Sequence, residues 1–294
     1  MASIACLVAD PAQAPLEDRL VRAAAAALGG SASWLGADAA AEIATELAIA
    51  AARTRLVEII AGLPVDVAVL EQSAPRRKRL LISDMDSTMI TIECIDELAD
   101  HVGIKPQVAT ITRRAMNGEI DFPAALRARV ALLAGLPVTS IEEVCRERIR
   151  AMPGAATLVR TMRAHGARTV LVSGGFGAFT GFVRGLLGFD RDEANELEVA
   201  DGRLTGRLVG AIRDADSKLE ALRRHAAELG TGPEAALAVG DGANDLPMLL
   251  AAGLGVAFRA HPRVKAEAPF AIDHGDLTAL LYLQGYAERE FLRA

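Results

Sequence analysis

Aromatic residues and cysteine are scarce in this sequence of 294 residues. Tryptophan, tyrosine and phenylalanine together make up 4% of the chain while alanine is abundant, so we expect aliphatic cores. Cysteine occurs only at Cys6, Cys94 and Cys145. An odd number of widely spaced cysteines fits neither a disulfide framework nor a zinc site, and it favours a reduced, cytoplasmic compartment. The five histidines show no metal-ligand spacing, so none is assigned a role.

Long uncharged apolar runs are also missing, although 51% of the residues are hydrophobic. No such run reaches the length of a membrane span. The N-terminus lacks a basic region followed by an apolar core, which argues against an export signal. The net charge of −6 argues against a general surface for nucleic acid or anionic membranes. We therefore expect neither nucleic acid nor a membrane as a partner.

The length of the chain is sufficient for two domains. Residues 1–74 predict a small α+β domain with a β-α-β-α-β pattern, in which the Ala-rich stretch 37–52 is ambiguous. We predict strands at residues 3–8 and 65–70 and helices at residues 16–28 and 53–61. We find no catalytic constellation here and expect a packing or dimerisation domain, through which a homodimer could form. The basic run 76–79 that follows predicts a solvated approach to the next strand.

The stretch Leu80-Leu81-Ile82-Ser83-Asp84-Met85-Asp86-Ser87-Thr88 changes abruptly from apolar to acidic. Such a short apolar run predicts a buried parallel strand, whose carboxyl end is where open α/β sheets bind ligands. Asp84 and Asp86 would point to opposite faces of a continuing strand, but a turn at Met85 would let both face one pocket. A helix N-cap is the alternative interpretation of the same residues.

Two further strands are predicted to end in polar residues. Residues 168–172 lead into Ser173-Gly174-Gly175, whose hydroxyl and exposed amides suit phosphate oxygens. Residues 236–240 lead into Asp241-Gly242-Ala243-Asn244-Asp245, which is either a second acidic cluster at the same sheet edge or a capped loop. Lys218 lies in the first turn of a predicted helix, where it opposes the helix dipole unless it faces an anion.

Helical patterns between residues 100 and 150 interrupt what would otherwise be a strand-helix-strand unit. Asp121 predicts a helix start, and Phe122 begins an apolar stripe that also contains Arg129. A guanidinium on an apolar face needs an anionic partner, unless its stem packs while its head reaches water. Glu93 similarly lies within an apolar stretch, although a solvated helix face would also explain it. Met116 could add an apolar wall near Phe122.

These strand ends together predict a phosphate site. Acidic side chains at one sheet edge would repel each other without a cation, and oxygen ligands of this kind suit Mg²⁺. In such a site one carboxylate can attack phosphorus, while a second acts as general acid and then as general base. Asp84 and Asp86 are placed for these two roles.

The motifs, taken in order, resemble those of the haloacid dehalogenase superfamily over roughly residues 75–290. The residues that carry this resemblance are 84–88, 173–175, Lys218 and 240–245. Residues 84–98 resemble more closely the phosphoserine phosphatases of that superfamily, and residues 1–74 resemble a degenerate ACT-like domain. The resemblance implies an α/β fold with a Rossmann-like parallel sheet core and a helical cap at about 100–150 in a catalytic domain spanning 75–294, beside the small α+β N-terminal domain.

The resemblance also implies a reaction, namely Mg²⁺-dependent hydrolysis of phosphoserine as the last step of serine biosynthesis. Asp84 would become an aspartyl phosphate, and Asp86 would protonate the departing serine oxygen and then activate water. Mg²⁺ would be held by the Asp84 carboxylate, the Asp86 backbone carbonyl and Asp241. Asn244 and Asp245 would support that coordination sphere, and Asn244 is also counted among the substrate-binding residues.

The remaining implied roles concern the substrate. Ser173, Gly174 and Lys218 would hold phosphate oxygens, with Lys218 offsetting charge in the transition state. Arg129 would bind the serine carboxylate and Glu93 the ammonium group. The pair Met116 and Phe122 would shield the site from bulk water.

Other activities are compatible with parts of this pattern. Dehalogenases of the superfamily lack the second aspartate, and its ion-pumping ATPases need membrane spans, so both are disfavoured. A phosphotransferase that passes phosphate to another amino alcohol would share every catalytic residue. A serine-binding regulatory module with a vestigial core is the alternative from a different functional class, although it would have no need for Asp86 or Lys218.

Overall fold

The computed structural model of the chain describes residues 2–116 and 119–293 and contains two β-sheets. The first sheet consists of β1 (Ser3–Ala9), β2 (Ser31–Gly36), β3 (Ala40–Thr45) and β4 (Val65–Glu71). It is antiparallel, with the strand order β2-β3-β1-β4. Helices α1 (Asp18–Leu28) and α2 (Ile49–Ile60) cover it, and the core between them is aliphatic.

The small N-terminal domain thus has a β-α-β-β-α-β pattern, which is the ferredoxin-like arrangement. The predicted β-α-β-α-β pattern is wrong because it missed the hairpin of β2 and β3. Alanine is a weak strand former, so β3, with the sequence Ala-Ala-Glu-Ile-Ala-Thr, carries little local strand signal. Pairing with β1 and β2 on both sides makes it a strand nevertheless.

The second sheet has the strand order β11-β10-β9-β5-β6-β7-β8. Its strands are β5 (Leu80–Ser83), β6 (Arg168–Phe176), β7 (Arg191–Ala200), β8 (Arg203–Val209), β9 (Ala236–Gly240), β10 (Leu254–Phe258) and β11 (Phe270–Ile272). Neighbouring strands are parallel except for β7 and β8, which form an antiparallel hairpin. An Asp-Gly turn joins them, with Asp201 and Gly202 both at positive φ as a type I′ turn requires. All four residues of β5 are buried, as expected for the central strand of a covered parallel sheet.

Helices fill the connections of this second sheet. Between β5 and β6 lie α3 (Cys94–His101), α4 (Lys105–Met116), α5 (Phe122–Ala131), α6 (Thr139–Glu147) and α7 (Ala155–Ala164). The later helices are α8 (Gly177–Leu187), α9 (Ala215–Glu228), α10 (Leu246–Ala251), α11 (Pro262–Glu267) and α12 (Ala279–Leu283). The predicted α/β class with a parallel core is confirmed. Within the described residues, no helix is both long and apolar enough to cross a membrane.

Asp66, at the start of β4, joins the N-terminal sheet to the rest of the chain. Its carboxylate is buried and accepts hydrogen bonds from the backbone N–H groups of Asp273, His274 and Gly275, at 2.8, 3.0 and 2.7 Å. Three convergent N–H donors can satisfy a buried carboxylate without a cation. Asp66 therefore anchors the small domain to the loop after β11.

The basic run that links the two sheets is anchored as well. Arg76 pairs with Glu42 at 2.6 Å, and it also donates to the backbone carbonyls of Tyr282 and Leu283. Lys78 is buried, although Arg79 is exposed. The prediction of a solvated approach is therefore wrong for Arg76 and Lys78, whose acceptors include the distant Glu42 and Glu234, while Arg77 and Arg79 are exposed.

Replacing Asp66 by alanine should destabilise the protein without altering its active site. The change leaves three buried N–H groups without their acceptor, which costs about 1–3 kcal/mol in free energy of unfolding. Denaturant unfolding followed by circular dichroism would measure the difference. Glu58→Ala, which removes an exposed carboxylate from α2 of the same domain, is the control and should stay within about 0.5 kcal/mol of the unchanged chain. Equal stabilities of the two variants would contradict the anchoring role.

Candidate active site

Three adjacent strands bring their polar ends to one edge of the second sheet. The register pairs Ser83 of β5 with Leu171 of β6 and with Val239 of β9, so the residues that follow these positions share that edge. The chain builds outward from β5 in both directions, which makes this edge a topological switch point. A cavity of about 310 Å³ opens there. Its lining includes Asp84, Asp86, Glu93, Phe122, Leu126, Arg129, Ser173, Gly174, Gly175, Asp241, Gly242, Asn244 and His261.

A tight turn at Met85 lets Asp84 and Asp86 line the same cavity. Met85 is fully buried, and its carbonyl accepts hydrogen bonds from the N–H groups of the three residues 88–90. Ser87 adopts a φ of 55°, a left-handed conformation that is uncommon outside glycine. The turn on which the sequence prediction depended is therefore present.

Lys218 lies at the centre of a buried charge cluster. Its Nζ is 2.5 Å from Asp84 Oδ1 and 2.6 Å from Asp245 Oδ1, and the side chain is 2% exposed. Burial alone would lower the pKa of Lys218, but the charges of Asp245 and Asp84 raise it above its usual range. The first-turn lysine thus faces anions, as the dipole argument anticipated, and it provides a fixed positive charge next to Asp84.

Asp86 has the properties of a proton donor at neutral pH. Burial, followed by the negative charges of Glu93 and Asp84, raises its pKa to about 8. The N–H of Cys94 donates to Asp86 Oδ1 at 3.1 Å and holds the carboxyl group in place. A carboxyl group that keeps its proton at pH 7 and is fixed within the cavity can act as a general acid.

The carboxylates of Asp84, Asp241 and Asp245 offer oxygen atoms that all lie within 4.8 Å of one another. Burial and the charge of Asp84 raise the pKa of Asp241, and the same two effects raise that of Asp245 to about 7. Thr88 donates to Asp241 Oδ1 at 3.0 Å and orients it. An all-oxygen donor set of this kind fits a hard divalent cation such as Mg²⁺. Asp245 is itself a member of this cluster, whereas the sequence predicted only a supporting role for it.

Glu93 and Arg129 line the same cavity, as the sequence suggested. The Nε of Arg129 is buried and has no hydrogen-bond partner among the described residues. Burial lowers the pKa of Arg129, and the charges of Asp96 and Glu93 oppose that effect. Glu93 is exposed and accepts a hydrogen bond from Ser87 at 2.6 Å. Arg129 and Glu93 thus add a cation and a further carboxylate to the aspartates of the cavity, as a zwitterionic ligand would require.

Phe122 covers Gly174, which lies in the last part of β6. Its ring lies so close to Gly174 that an added Cβ at that glycine would be 3.2 Å from Phe122 Cζ. Asp121 caps α5 by accepting from the N–H of Ala124 at 2.7 Å, and this cap fixes where Phe122 begins the helix. The prediction for Met116 concerns a side chain that lies outside the described part of the structure.

Ser173 and Gly174 lie in the irregular last part of β6, a loop-like segment where the register with β7 shifts, and both line the cavity. Ser173 is buried, and its Oγ accepts a hydrogen bond from the N–H of Gly175 at 2.9 Å. An added Cβ at Gly175 would be 3.3 Å from Asp86 Oδ2, so this loop closely approaches the acidic turn. Asn244 is exposed, follows β9 at the same edge of the sheet, and lines the cavity as well.

Sequence reasoning missed His261 and Asn195. His261 follows β10, the next strand in the sheet, and lines the cavity, so extending the strand-end argument by one strand would have found it. Asn195 is buried on β7, and its side chain donates to the Gly174 carbonyl at 2.8 Å. No local pattern identifies Asn195, because its partners are distant in sequence.

Comparison with known proteins identifies a matching family and similar sequences. Residues 81–250 match the family model described as haloacid dehalogenase-like hydrolase. A protein of Polaromonas sp. named phosphoserine phosphatase is 49% identical over 231 residues, which cover 77% of this chain and 98% of that protein. One of Streptomyces coelicolor with the same name is 47% identical over 81% of this chain, which spans only 58% of that longer protein.

A solved structure agrees with these sequence matches. The structure described as a probable phosphoserine phosphatase from Vibrio cholerae, in an unliganded form, superposes with a TM-score of 0.81 at 32% identity. The superposition covers 98% of this chain and 88% of that one, so it includes the small N-terminal domain. The chain belongs to the haloacid dehalogenase-like hydrolase family.

Proposed function

We propose that this protein hydrolyses O-phospho-L-serine to L-serine and phosphate through an aspartyl-phosphate intermediate. The observation that carries the proposal is the distribution of charge along one cavity. Asp84 and Asp86 line it, and so do Glu93 and Arg129, whose buried Nε has no partner among the described residues. The relatives named phosphoserine phosphatase, which are 47–49% identical, support the same substrate.

The chemistry is assigned as two displacements at phosphorus. In the first, a carboxylate oxygen of Asp84 attacks phosphorus, the bond to the serine oxygen breaks, and Asp86 gives its proton to that oxygen. In the second, Asp86 takes a proton from water as the water oxygen attacks phosphorus. The bond to Asp84 then breaks, which releases phosphate and restores both aspartates.

The phosphate end of the cavity is assigned to Ser173, Gly174, Lys218 and Asn244. A buried ammonium group and a loop of hydroxyl and amide donors stabilise charge that develops on phosphoryl oxygens. Lys218 is already fixed by two carboxylates, so it needs little reorganisation during the reaction.

The acidic cluster is assigned as a Mg²⁺ site. Asp84, Asp241 and the Asp86 backbone carbonyl would hold the ion, and Asp245 belongs to the same set of clustered carboxylates. A bound Mg²⁺ supplies positive charge that offsets the phosphate and the surrounding carboxylates. Burial and the charge of Asp84 raise the pKa values of Asp241 and Asp245, and a divalent cation would offset that repulsion, which supports the assignment.

The serine end of the substrate is assigned to Arg129 for the carboxylate and Glu93 for the ammonium group. Phe122 and Met116 would limit access of bulk water. We assign residues 75–294 as the catalytic domain, with the segment at about 100–150 as its cap.

Residues 1–74 are assigned as a degenerate ACT-like domain that mediates a homodimer. The outer edge of β2 and the exposed Trp34 on that strand support an interaction there. We further assign a cytoplasmic location and a role in the last step of serine biosynthesis. The three cysteines are free and buried, which is compatible with a reducing compartment.

Phosphate release from a panel of phosphorylated metabolites tests the proposal. With Mg²⁺ present, we expect release from phosphoserine to exceed that from phosphothreonine and sugar phosphates by about tenfold or more, since one extra methyl group costs about 1–3 kcal/mol in a fitted pocket. EDTA should stop the reaction, and added Mg²⁺ should restore it. Fast release from sugar phosphates would remove the serine-binding roles of Glu93 and Arg129. If phosphate left the substrate only when an amino alcohol was added as acceptor, the protein would be a phosphotransferase. If it bound serine without any turnover, it would be a regulatory module.

A further inference from the structure

Asn195 connects two segments that carry the phosphate end of the site. It is 2% exposed and lies on β7, outside the cavity. Its Nδ2 donates to the Gly174 carbonyl at 2.8 Å and approaches the Arg213 carbonyl at 3.4 Å. Its Oδ1 accepts from the Arg213 N–H at 2.8 Å. One buried amide therefore holds the backbone of two segments that are about 40 residues apart in sequence.

The Arg213 side of this connection leads directly to Lys218. Asp214 follows Arg213 and is the N-cap of α9. Asp214 and Ser217 form a reciprocal capping box, with the Ser217 N–H and the Asp214 Oδ1 3.2 Å apart. The capping box fixes the first helical turn, so the position of Arg213 determines where Lys218 projects from the helix.

The same strand holds α9 at a second point. Glu193 accepts from Arg213 Nη1 at 3.0 Å, and its other oxygen is 2.7 Å from Nε2 of His225, a buried residue two turns beyond Lys218. Although burial opposes it, hydrogen bonds from His225 and Arg224 lower the pKa of Glu193 to about 2. Glu193 is thus a carboxylate across the physiological range, and β7 holds α9 both at its start and in its last turn.

We propose that Asn195 is a positioning residue that sets the separation between the phosphate loop at Gly174 and Lys218. The inference rests on the proposed function, in which these two elements hold the phosphoryl group. Asn195 suits this role because an amide can donate to one backbone carbonyl while it accepts from another N–H. No other neutral side chain of this size offers both groups in one plane.

Asn195→Asp is the sharpest test because it preserves shape and removes the donor. A carboxylate oxygen would then face the Gly174 carbonyl, so the loop must shift away from it. A displacement of about 1 Å can cost about 100-fold in rate. We expect kcat to fall by about 10- to 100-fold, equally for phosphoserine and for p-nitrophenyl phosphate, because the serine end is unaffected. Calorimetric titration of the Mg²⁺-loaded protein with inorganic phosphate should show binding weakened by about tenfold.

Gln284→Glu is the matched control. Gln284 is also a buried amide that donates to a backbone carbonyl and accepts from a backbone N–H, but it lies beside Leu280 and Lys78, away from the cavity. It should lose thermal stability comparable to that lost by Asn195→Asp, while its phosphate affinity stays unchanged. Unchanged phosphate affinity in Asn195→Asp would overturn the positioning role, as would an equal loss of affinity in both variants. Failure of the unmodified protein to bind phosphate would overturn the proposed function together with this inference.

Discussion

Asp84→Asn should reduce turnover of phosphoserine by about 10⁴-fold or more, the scale seen when a covalent nucleophile is removed. Asparagine keeps the shape of the side chain but is a poor nucleophile toward phosphorus. Lys218 still retains Asp245 at 2.6 Å, so the buried ammonium keeps one carboxylate partner. The variant should therefore fold, and a thermal melt would verify this before the rate is measured by phosphate release.

Asp216→Asn is the control for this change. It removes an exposed carboxylate from the first turn of α9, two residues from Lys218, and we expect turnover to stay within about twofold. A second readout is chemical, since the unmodified chain quenched during turnover should carry a phosphoryl group on the peptide that contains Asp84. Turnover of Asp84→Asn at the normal rate, or a phosphoryl group on another residue, would refute the nucleophile assignment.

Arg129→Ala should impair turnover of phosphoserine selectively. Loss of one partner from a desolvated charge pair costs about 2–5 kcal/mol, which corresponds to about 30- to 5,000-fold in kcat/KM. The buried Nε of Arg129, which has no partner among the described residues, is available for a ligand. Phosphoethanolamine keeps the ammonium and phosphate groups of phosphoserine but lacks its carboxylate. Its kcat/KM should therefore change little, and the preference for phosphoserine should disappear.

Arg127→Ala controls for the loss of positive charge from α5. Arg127 is exposed and lies two residues from Arg129 on the same helix, so it points away from the cavity. We expect both substrates to be turned over normally by this variant. If Arg129→Ala lowered kcat/KM equally for phosphoserine and phosphoethanolamine, Arg129 would act on general structure and not on the substrate carboxylate.

The site elements that the sequence predicted share one property, which is that each is encoded within a few consecutive residues. A buried apolar run followed by Asp84, or by Asp241, identifies a strand and its end from local pattern alone. Helix starts at Asp121 and Asp214 are similarly local, since an N-cap bonds to residues two or three positions ahead. Parallel pairing then brings those strand ends together with little further information.

The features that the sequence did not predict depend on distant partners. The hairpin of β2 and β3 forms because β1 pairs with β3, not because the Ala-rich segment favours strands. Lys78 is buried because its ammonium group donates hydrogen bonds to the carbonyl of Pro75 and to that of Glu234, which is 156 residues away. Asn195 carries no signal in its own neighbourhood.

Local patterns in the sequence are therefore sufficient to predict the α/β class, the order of the strand ends and the residue types at the sheet edge, because hydrophobic period and capping act over a few residues. The structure was needed to show that the Met85 turn directs both aspartates into one cavity, and that Lys218 contacts Asp84 and Asp245. It also decided that Asn195 holds the phosphate loop against the start of α9. The contacts of Lys218 and Asn195 join residues that are 18 to 134 positions apart in sequence. Their geometry is fixed by packing and buried hydrogen bonds, which no local pattern encodes.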